Sequence, residues 1–244
     1  MNSSCRTPAG WILMLILSAL LFGCASNDNI VEPTPLKPVD RVVQLHKLWS
    51  KRIGHGFEAE TIVLRPAISD EQIYVADARG MVIALNRSNG REVWKQKLNQ
   101  AVVGGVSVDE DMLWVTTRRA QLIALDAQTG ARRWDVTLSS ESLAPVTVRG
   151  RHVIVQTQDA HLTCFDRETG QRLWVLDTTI PVLTLRGAAM PRIEGDAVFA
   201  GFANGKLASV DLKTGVLQWE RQIGVVQGAS ELDRLVDIDG DFLV

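Results

Sequence analysis

Four segments of the chain end on a tryptophan and superimpose without a gap: GMVIALNRSNGREVW at Trp94, AQLIALDAQTGARRW at Trp134, AHLTCFDRETGQRLW at Trp174 and GKLASVDLKTGVLQW at Trp219. In each, a small residue (Ala84, Ala124, Cys164, Ser209) is followed two positions on by Asn86, Asp126, Asp166 or Asp211. Next come Gly90, Gly130, Gly170 or Gly215, and the tryptophan lies ten residues after the small one. With Trp49, in LHKLWSKRI, the tryptophans are spaced 45, 40, 40 and 45 residues apart. A repeat of that length belongs to propellers and solenoids. Helical solenoids need stretches of 3.6-residue period, and none is found here.

The content of each repeat is strand-like. VIAL, LIAL, LTCF and LASV are short apolar strands. The Asx side chain accepts backbone N–H groups in the turn that follows, and the glycine supplies a positive φ. The next strand delivers the tryptophan. Upstream, IYVAD (73–77), MLWVTT (112–117), HVIVQT (152–157) and AVFAG (197–201) add a strand to each unit, and a further short strand precedes each of these. The expected unit is a four-stranded antiparallel sheet. One such sheet leaves two apolar faces uncovered, so units must stack around an axis as blades. The predicted fold is therefore an all-β propeller with about four and a half blades in this chain. Cys164 aligns with Ala84, Ala124 and Ser209, which makes it a small buried residue rather than a nucleophile. Gly104-Gly105 and the scattered glycines are read as turn residues.

Composition removes several classes of function. Among 244 residues, 26 Lys and Arg stand against 28 Asp and Glu, a net charge of −2, which leaves no basic footprint for nucleic acid. Hydrophobic residues make up 46% and charged residues 22%, as expected of a globular chain with a sizeable core. Three cysteines, Cys5, Cys24 and Cys164, form no CxxC pair. No GxSxG, HExxH or Walker-type glycine loop occurs. His46, His55, His152 and His161 lack metal-ligand spacing. In Asp237-Ile-Asp-Gly-Asp241 the glycine stands fourth, not sixth as in a calcium loop. Neither a catalytic set nor a metal site is predicted.

The amino terminus reads as an address. Arg6 precedes a twelve-residue apolar stretch, Trp11 to Phe22, followed by Gly23-Cys24. That is a signal-peptide layout, too short for a comfortable membrane span; the alternative is an uncleaved anchor. Leu21-Phe22-Gly23-Cys24 resembles a lipobox, which implies cleavage before Cys24 and acylation of that residue, with Ala25 permitting sorting to the outer membrane. Residues 1–23 are thus expected to be a lipoprotein signal peptide. Residues 24–44, with Pro33, Pro35 and Pro38, form the lipidated cysteine and a flexible tether. Residues 45–244 carry the blades.

The motif small-x-Asx-x-x-(Thr/Asn)-Gly-x-x-x-Trp resembles the tryptophan-docking motif of quinoprotein-type β-propellers, four times over between residues 84 and 219. Combined with the lipobox, with PVLTLRGAAMP (181–191) and with SELDRLVDID (230–239), the chain is similar from residue 24 onward to the BamB family. These are the lipoprotein subunits of the outer-membrane β-barrel assembly (BAM) machinery. The resemblance implies a non-enzymatic subunit without cofactor, anchored on the periplasmic side of the outer membrane. It also implies an eight-bladed ring in which the strand carrying Trp49 completes the last blade. No fifth Asx-Gly-Trp unit follows Trp219, so the chain is read as the amino-terminal part of a longer protein, with Trp49 lacking a blade of its own.

Two connections exceed the repeat length, VLDTTIPVLTLRGAAMPRIEG after Trp174 and ERQIGVVQGASELDRLVDIDG after Trp219. Extra loop length on a repeat scaffold is usually a binding surface. The first carries Leu183, Leu185 and Arg186; the second carries Asp233, Arg234, Asp237 and Asp239. They are expected to form one patch on neighbouring blades. The resemblance implies that Leu183, Leu185, Arg186, Asp237 and Asp239 engage the periplasmic POTRA domains of BamA. It leaves open whether the propeller only orients BamA or also pairs its blade edges with nascent outer-membrane proteins. Readings from other classes are a periplasmic quinoprotein-like dehydrogenase and a ligand-sensing propeller.

Overall fold

A computed structural model of the chain describes residues 43–54, 64–179, 184, 187, 189–225, 236–238 and 240. Among the described residues, sixteen strands form four antiparallel four-stranded sheets, each a meander in chain order. The first blade comprises β1 (Ala67–Ile68), β2 (Gln72–Ala76), β3 (Met81–Asn86) and β4 (Glu92–Lys97). The second comprises β5 (Val102–Asp109), β6 (Met112–Thr117), β7 (Gln121–Asp126) and β8 (Arg132–Thr137). The third comprises β9 (Thr147–Arg149), β10 (His152–Gln156), β11 (His161–Asp166) and β12 (Arg172–Asp177). The fourth comprises β13 (Arg192–Glu194), β14 (Ala197–Gly201), β15 (Lys206–Asp211) and β16 (Leu217–Gln222). These are the blades of a β-propeller. The strands expected at 73–77, 112–117, 152–157 and 197–201 are β2, β6, β10 and β14.

The cores lie between blades rather than within them, a consequence of the two-residue period of a strand. In the second blade, Leu113, Val115, Ile123 and Leu125 face the first blade, packing with Tyr74, Val82 and Ala84. Their neighbours Met112, Trp114, Leu122 and Ala124 face the third blade, packing with Val153, Val155 and Phe165. Ile154, Leu162 and Cys164 of the third blade meet Val198, Ala208 and Val210 of the fourth. Strands buried on both faces read as continuous apolar runs, which is why LIAL and VIAL show no alternation. The outer strands β4 and β8 alternate between exposed and half-buried positions from their second residue on, β12 does so around a buried Trp174, and β16 is exposed except at the half-buried Glu220. Cys164 is fully buried opposite Trp174, and burial pushes its thiol up to about 12.

The turn between the third and fourth strand of each blade is built as the residue types require. In the third blade, Asp166 Oδ1 accepts from the amides of Glu168 (3.1 Å) and Thr169 (3.0 Å) and from Thr169 Oγ1 (3.0 Å). Gly170 N donates to Asp166 O at 2.9 Å, with Gly170 at φ +69. The register then shifts between Cys164 and Phe165, a bulge that returns the tryptophan opposite the small residue. Asn86, Asp126 and Asp211 do the same in their blades.

Each of these glycines also receives an indole from the preceding repeat. Trp94 Nε1 donates to Ala127 O (2.8 Å), Trp134 to Arg167 O (2.7 Å) and Trp174 to Leu212 O (2.9 Å). A Cβ at Gly130, Gly170 or Gly215 would lie 2.5, 2.8 or 2.7 Å from the ring of Trp94, Trp134 or Trp174. The space beside Ala84, Ala124 and Cys164 is thus filled by an indole that reaches the next blade. Trp49 joins the series: although residues 43–54 belong to none of the sheets, its indole lies over Gly90 and donates to Arg87 O at 2.9 Å. Trp219 is 37% exposed and, among the described residues, its nitrogen has no acceptor.

One reading from the sequence is corrected. Gly104 and Gly105 are not turn residues; they form a bulge inside β5, where the register shifts between Val102 and Val106 and Gly105 takes φ +79. A Cβ at Gly104 would lie 1.8 Å from Thr116 Oγ1 and 2.6 Å from Ser142 O, so glycine permits the approach of strand and connector.

The candidate functional site

The meander order divides the loops between two ends of the blades. The β2–β3, β6–β7, β10–β11 and β14–β15 hairpins share one end with the connectors from blade to blade. The β3–β4 class of turn lies at the other.

Both long connections belong to the connector end and converge over the third and fourth blades. Gln158 Nε2, in the β10–β11 hairpin, donates to Gly187 O of the first connection at 2.7 Å. Thr178 Oγ1 donates to Ala160 O at 3.1 Å, and Asn204 Nδ2 to Thr179 O at 3.0 Å. The second connection returns over the β14–β15 hairpin, with Ile238 N 3.4 Å from Phe202 O. Glycines admit it: a Cβ at Gly201 would meet Ile238 Cγ2 at 2.5 Å, and one at Gly205 would meet Val236 Cγ1 at 2.6 Å. Thr184 and Gly187 from one connection and Asp237 from the other line a single cavity of about 10 Å³ with Gln156, Gln158 and Phe202.

Of the residues expected to form the patch, Asp237 is described and is half-buried at that cavity. Leu183, Leu185, Arg186 and Asp239 lie outside the described residues, as do Asp233, Arg234, Asp241, His55 and Cys24. The neighbours of Leu183, Leu185 and Arg186, namely Thr184 and Gly187, stand beside the same cavity as Asp237. His161 bridges Asp159 (3.1 Å) and Asp177 (3.1 Å) near the same end.

The opposite end holds a polar cluster that sequence reading did not find. Arg167, whose side chain is 7% exposed, reaches from the third blade to the β5–β6 hairpin of the second. It donates to Asp109 Oδ2 (2.7 Å) and Asp111 Oδ1 (2.7 Å), pairs with Glu110 (3.1 Å), and lies 5.8 Å from the ring centre of Trp114. Arg133 bridges Asp111 (2.6 Å) and Asp126 (2.7 Å). The Arg133 guanidinium, together with the turn donors, lowers the Asp126 carboxyl to about 2. Arg167 thus clasps two blades twice, by its side chain and by the carbonyl that accepts the Trp134 indole. The run Asp109-Glu110-Asp111 was the available signal, but its cation lies in another repeat. Among the described residues, no group of three or more His, Cys, Asp or Glu stands ready to hold a metal.

Four-stranded blades joined by indoles seated on the turn glycines of their neighbours define a tryptophan-docking β-propeller. The chain belongs to the family described as outer membrane protein assembly factor BamB, which it matches over residues 46–117 and 78–244. It is 53% identical to the outer membrane protein assembly factor BamB of Pseudomonas aeruginosa, over 95% of this chain and 61% of that protein. The crystal structure of BamB from Moraxella catarrhalis superimposes with a TM-score of 0.70 at 34% identity, covering 74% of this chain and 55% of that one. Quinohemoprotein alcohol dehydrogenase from Comamonas testosteroni shares the fold, with a TM-score of 0.56 at 18% identity over 66% of this chain and 35% of that one. The chain spans about three-fifths of the length of the curated relatives it matches.

Proposed function

We propose that the chain acts as a non-enzymatic scaffold of the BAM complex, binding BamA and supporting assembly and insertion of β-barrel proteins into the outer membrane. It is held on the periplasmic side by acyl chains on Cys24, after removal of residues 1–23, and residues 24–44 tether the blades at 45–244. Leu183, Leu185, Arg186, Asp237 and Asp239 engage the POTRA domains, apolar side chains supplying buried area and the charged ones orientation. Family membership supports this reading, and so does the observation that carries it: two long connections from consecutive blades meet around one cavity, with Thr184, Gly187 and Asp237 in its wall. A rigid scaffold presenting loops from adjacent blades offers a surface that neither loop has alone.

The test is co-purification with BamA from detergent-solubilised envelopes. Wild type is expected to bring BamA down, and a folded Leu185→Ala/Arg186→Glu variant to lose it. Capture of no BamA by wild type overturns the proposal.

A further inference from the structure

Two glutamines of the third blade stand beneath both long connections. Gln156, at the end of β10, is 5% exposed, and its Nε2 donates to Gly201 O of the fourth blade at 2.6 Å. That bond fixes the amide: flipped, it would set Oε1 against a carbonyl oxygen, acceptor against acceptor. Oε1 is buried and, among the described residues, nothing donates to it. Buried amide oxygens are ordinarily satisfied by a protein donor or an ordered water. The cavity that Gln156 lines has a volume of about 10 Å³, close to what one water needs. Gln158, two residues on, already holds the first connection through Gly187 O.

We infer that Gln156 Oε1 and the cavity walls at Thr184, Gly187 and Asp237 form a binding site for a single water molecule, which ties the third blade to both long connections. Gln156 and Gln158 are thereby positioning residues for the docking patch, Gln158 acting directly and Gln156 through the water. This inference rests on the proposed BamA-binding reading only for its effect on affinity; the water and the loop order are independent of it. Neither glutamine touches the partner. Each sets where the loop residues stand, so its loss raises the population of loop conformations that do not bind, and apparent affinity falls with the competent fraction.

Three readouts on the full chain test it. A crystal structure with ordered solvent should place a water within about 3.2 Å of Gln156 Oε1. No density there, or a cation at coordination distance, overturns the assignment. Gln156→Met nearly conserves volume and removes both polar atoms of the side-chain amide. In hydrogen exchange it should speed exchange of the segment around Ile238 about five- to ten-fold, the scale of one lost hydrogen bond. Gln158→Met should do the same around Gly187. Exchange in β11 should not change in either variant. If Gln156→Met fails to fold, Gln158→Met and the solvent structure still decide the matter. Unchanged loop exchange in a folded variant overturns the positioning role. BamA capture should weaken about five-fold in both variants. Equal capture by wild type and by variants with loosened loops overturns the link to docking. If wild type captures none, the docking proposal fails while the loop arm still stands or falls on its own result.

Discussion

Two glycines with nearly the same backbone and opposite surroundings allow the indole junction to be weighed. Gly170 has φ +69, and an added Cβ would lie 2.8 Å from Trp134 Cε3; Gly150 has φ +56 with nothing within 4 Å. Alanine at Gly150 should cost only the left-handed backbone penalty, about 1 kcal/mol. Alanine at Gly170 carries the same penalty and must also displace the ring, an overpacking cost of about 1–3 kcal/mol. Moving the ring strains or breaks the 2.7 Å bond from Trp134 Nε1 to Arg167 O, about 1 kcal/mol more. Gly170→Ala is therefore expected to lose about 3–5 kcal/mol and Gly150→Ala about 1 kcal/mol. Equilibrium urea unfolding followed by circular dichroism measures both, and tryptophan emission of the folded Gly170→Ala protein should shift to the red as Trp134 leaves its seat. Equal losses in the two variants would refute the argument, because the close approach of indole to glycine would then carry no free energy.

Two further outcomes follow from the ionisable groups. The folded-state pKa of Asp126 is lowered from 3.8 to about 2, so its stabilisation is complete above the unfolded value and is lost as pH falls through 2. Asp126→Asn keeps an acceptor for the turn but loses the ion pair with Arg133, so its unfolding midpoint should fall less steeply than wild type between pH 4 and 2; parallel slopes would contradict the assignment. The Cys164 thiol, fully buried and pushed up to about 12, should resist alkylation at pH 8 in the folded protein and react at the rate of unfolding. Peptide-mapped labelling at Cys164 in native buffer would disprove that.

The blades were legible because the information that builds them is local and repeated. Asp166, Thr169 and Gly170 sit within one turn, and the opposition of Cys164 and Trp174 across the bulge follows from their spacing. Even Trp49, with no sheet of its own, was found by spacing alone. Gly104-Gly105 was misread because a glycine pair in a turn and one in a strand look alike in sequence; what distinguishes them is the carbonyl of Ser142, from the next connector. The Arg167 clasp was invisible for a related reason, since its partners lie 56 and 58 residues away in another blade. The long connections stood out only by length. They have no periodicity, and the cavity they share with Gln156 and Asp237 depends on backbone carbonyls at Gly187 and Gly201, which carry no mark in the chain.

The indole bonds all point one way along the chain: each of the first three blades offers a ring forward from its outer strand, and every blade receives one at its turn, the first from Trp49. A plug and its socket therefore travel together in a single unit. The contact between units is head-to-tail, and in such contacts the number of members follows from whether the rotation that each contact imposes closes a ring. Duplicating a unit creates no mismatched junction, whereas deleting one still leaves a plug facing a socket of the same shape. Blades can therefore be added by gene duplication with each indole junction keeping its chemistry, while specialisation lies outside the motif, in the Arg167 clasp and in the long connections.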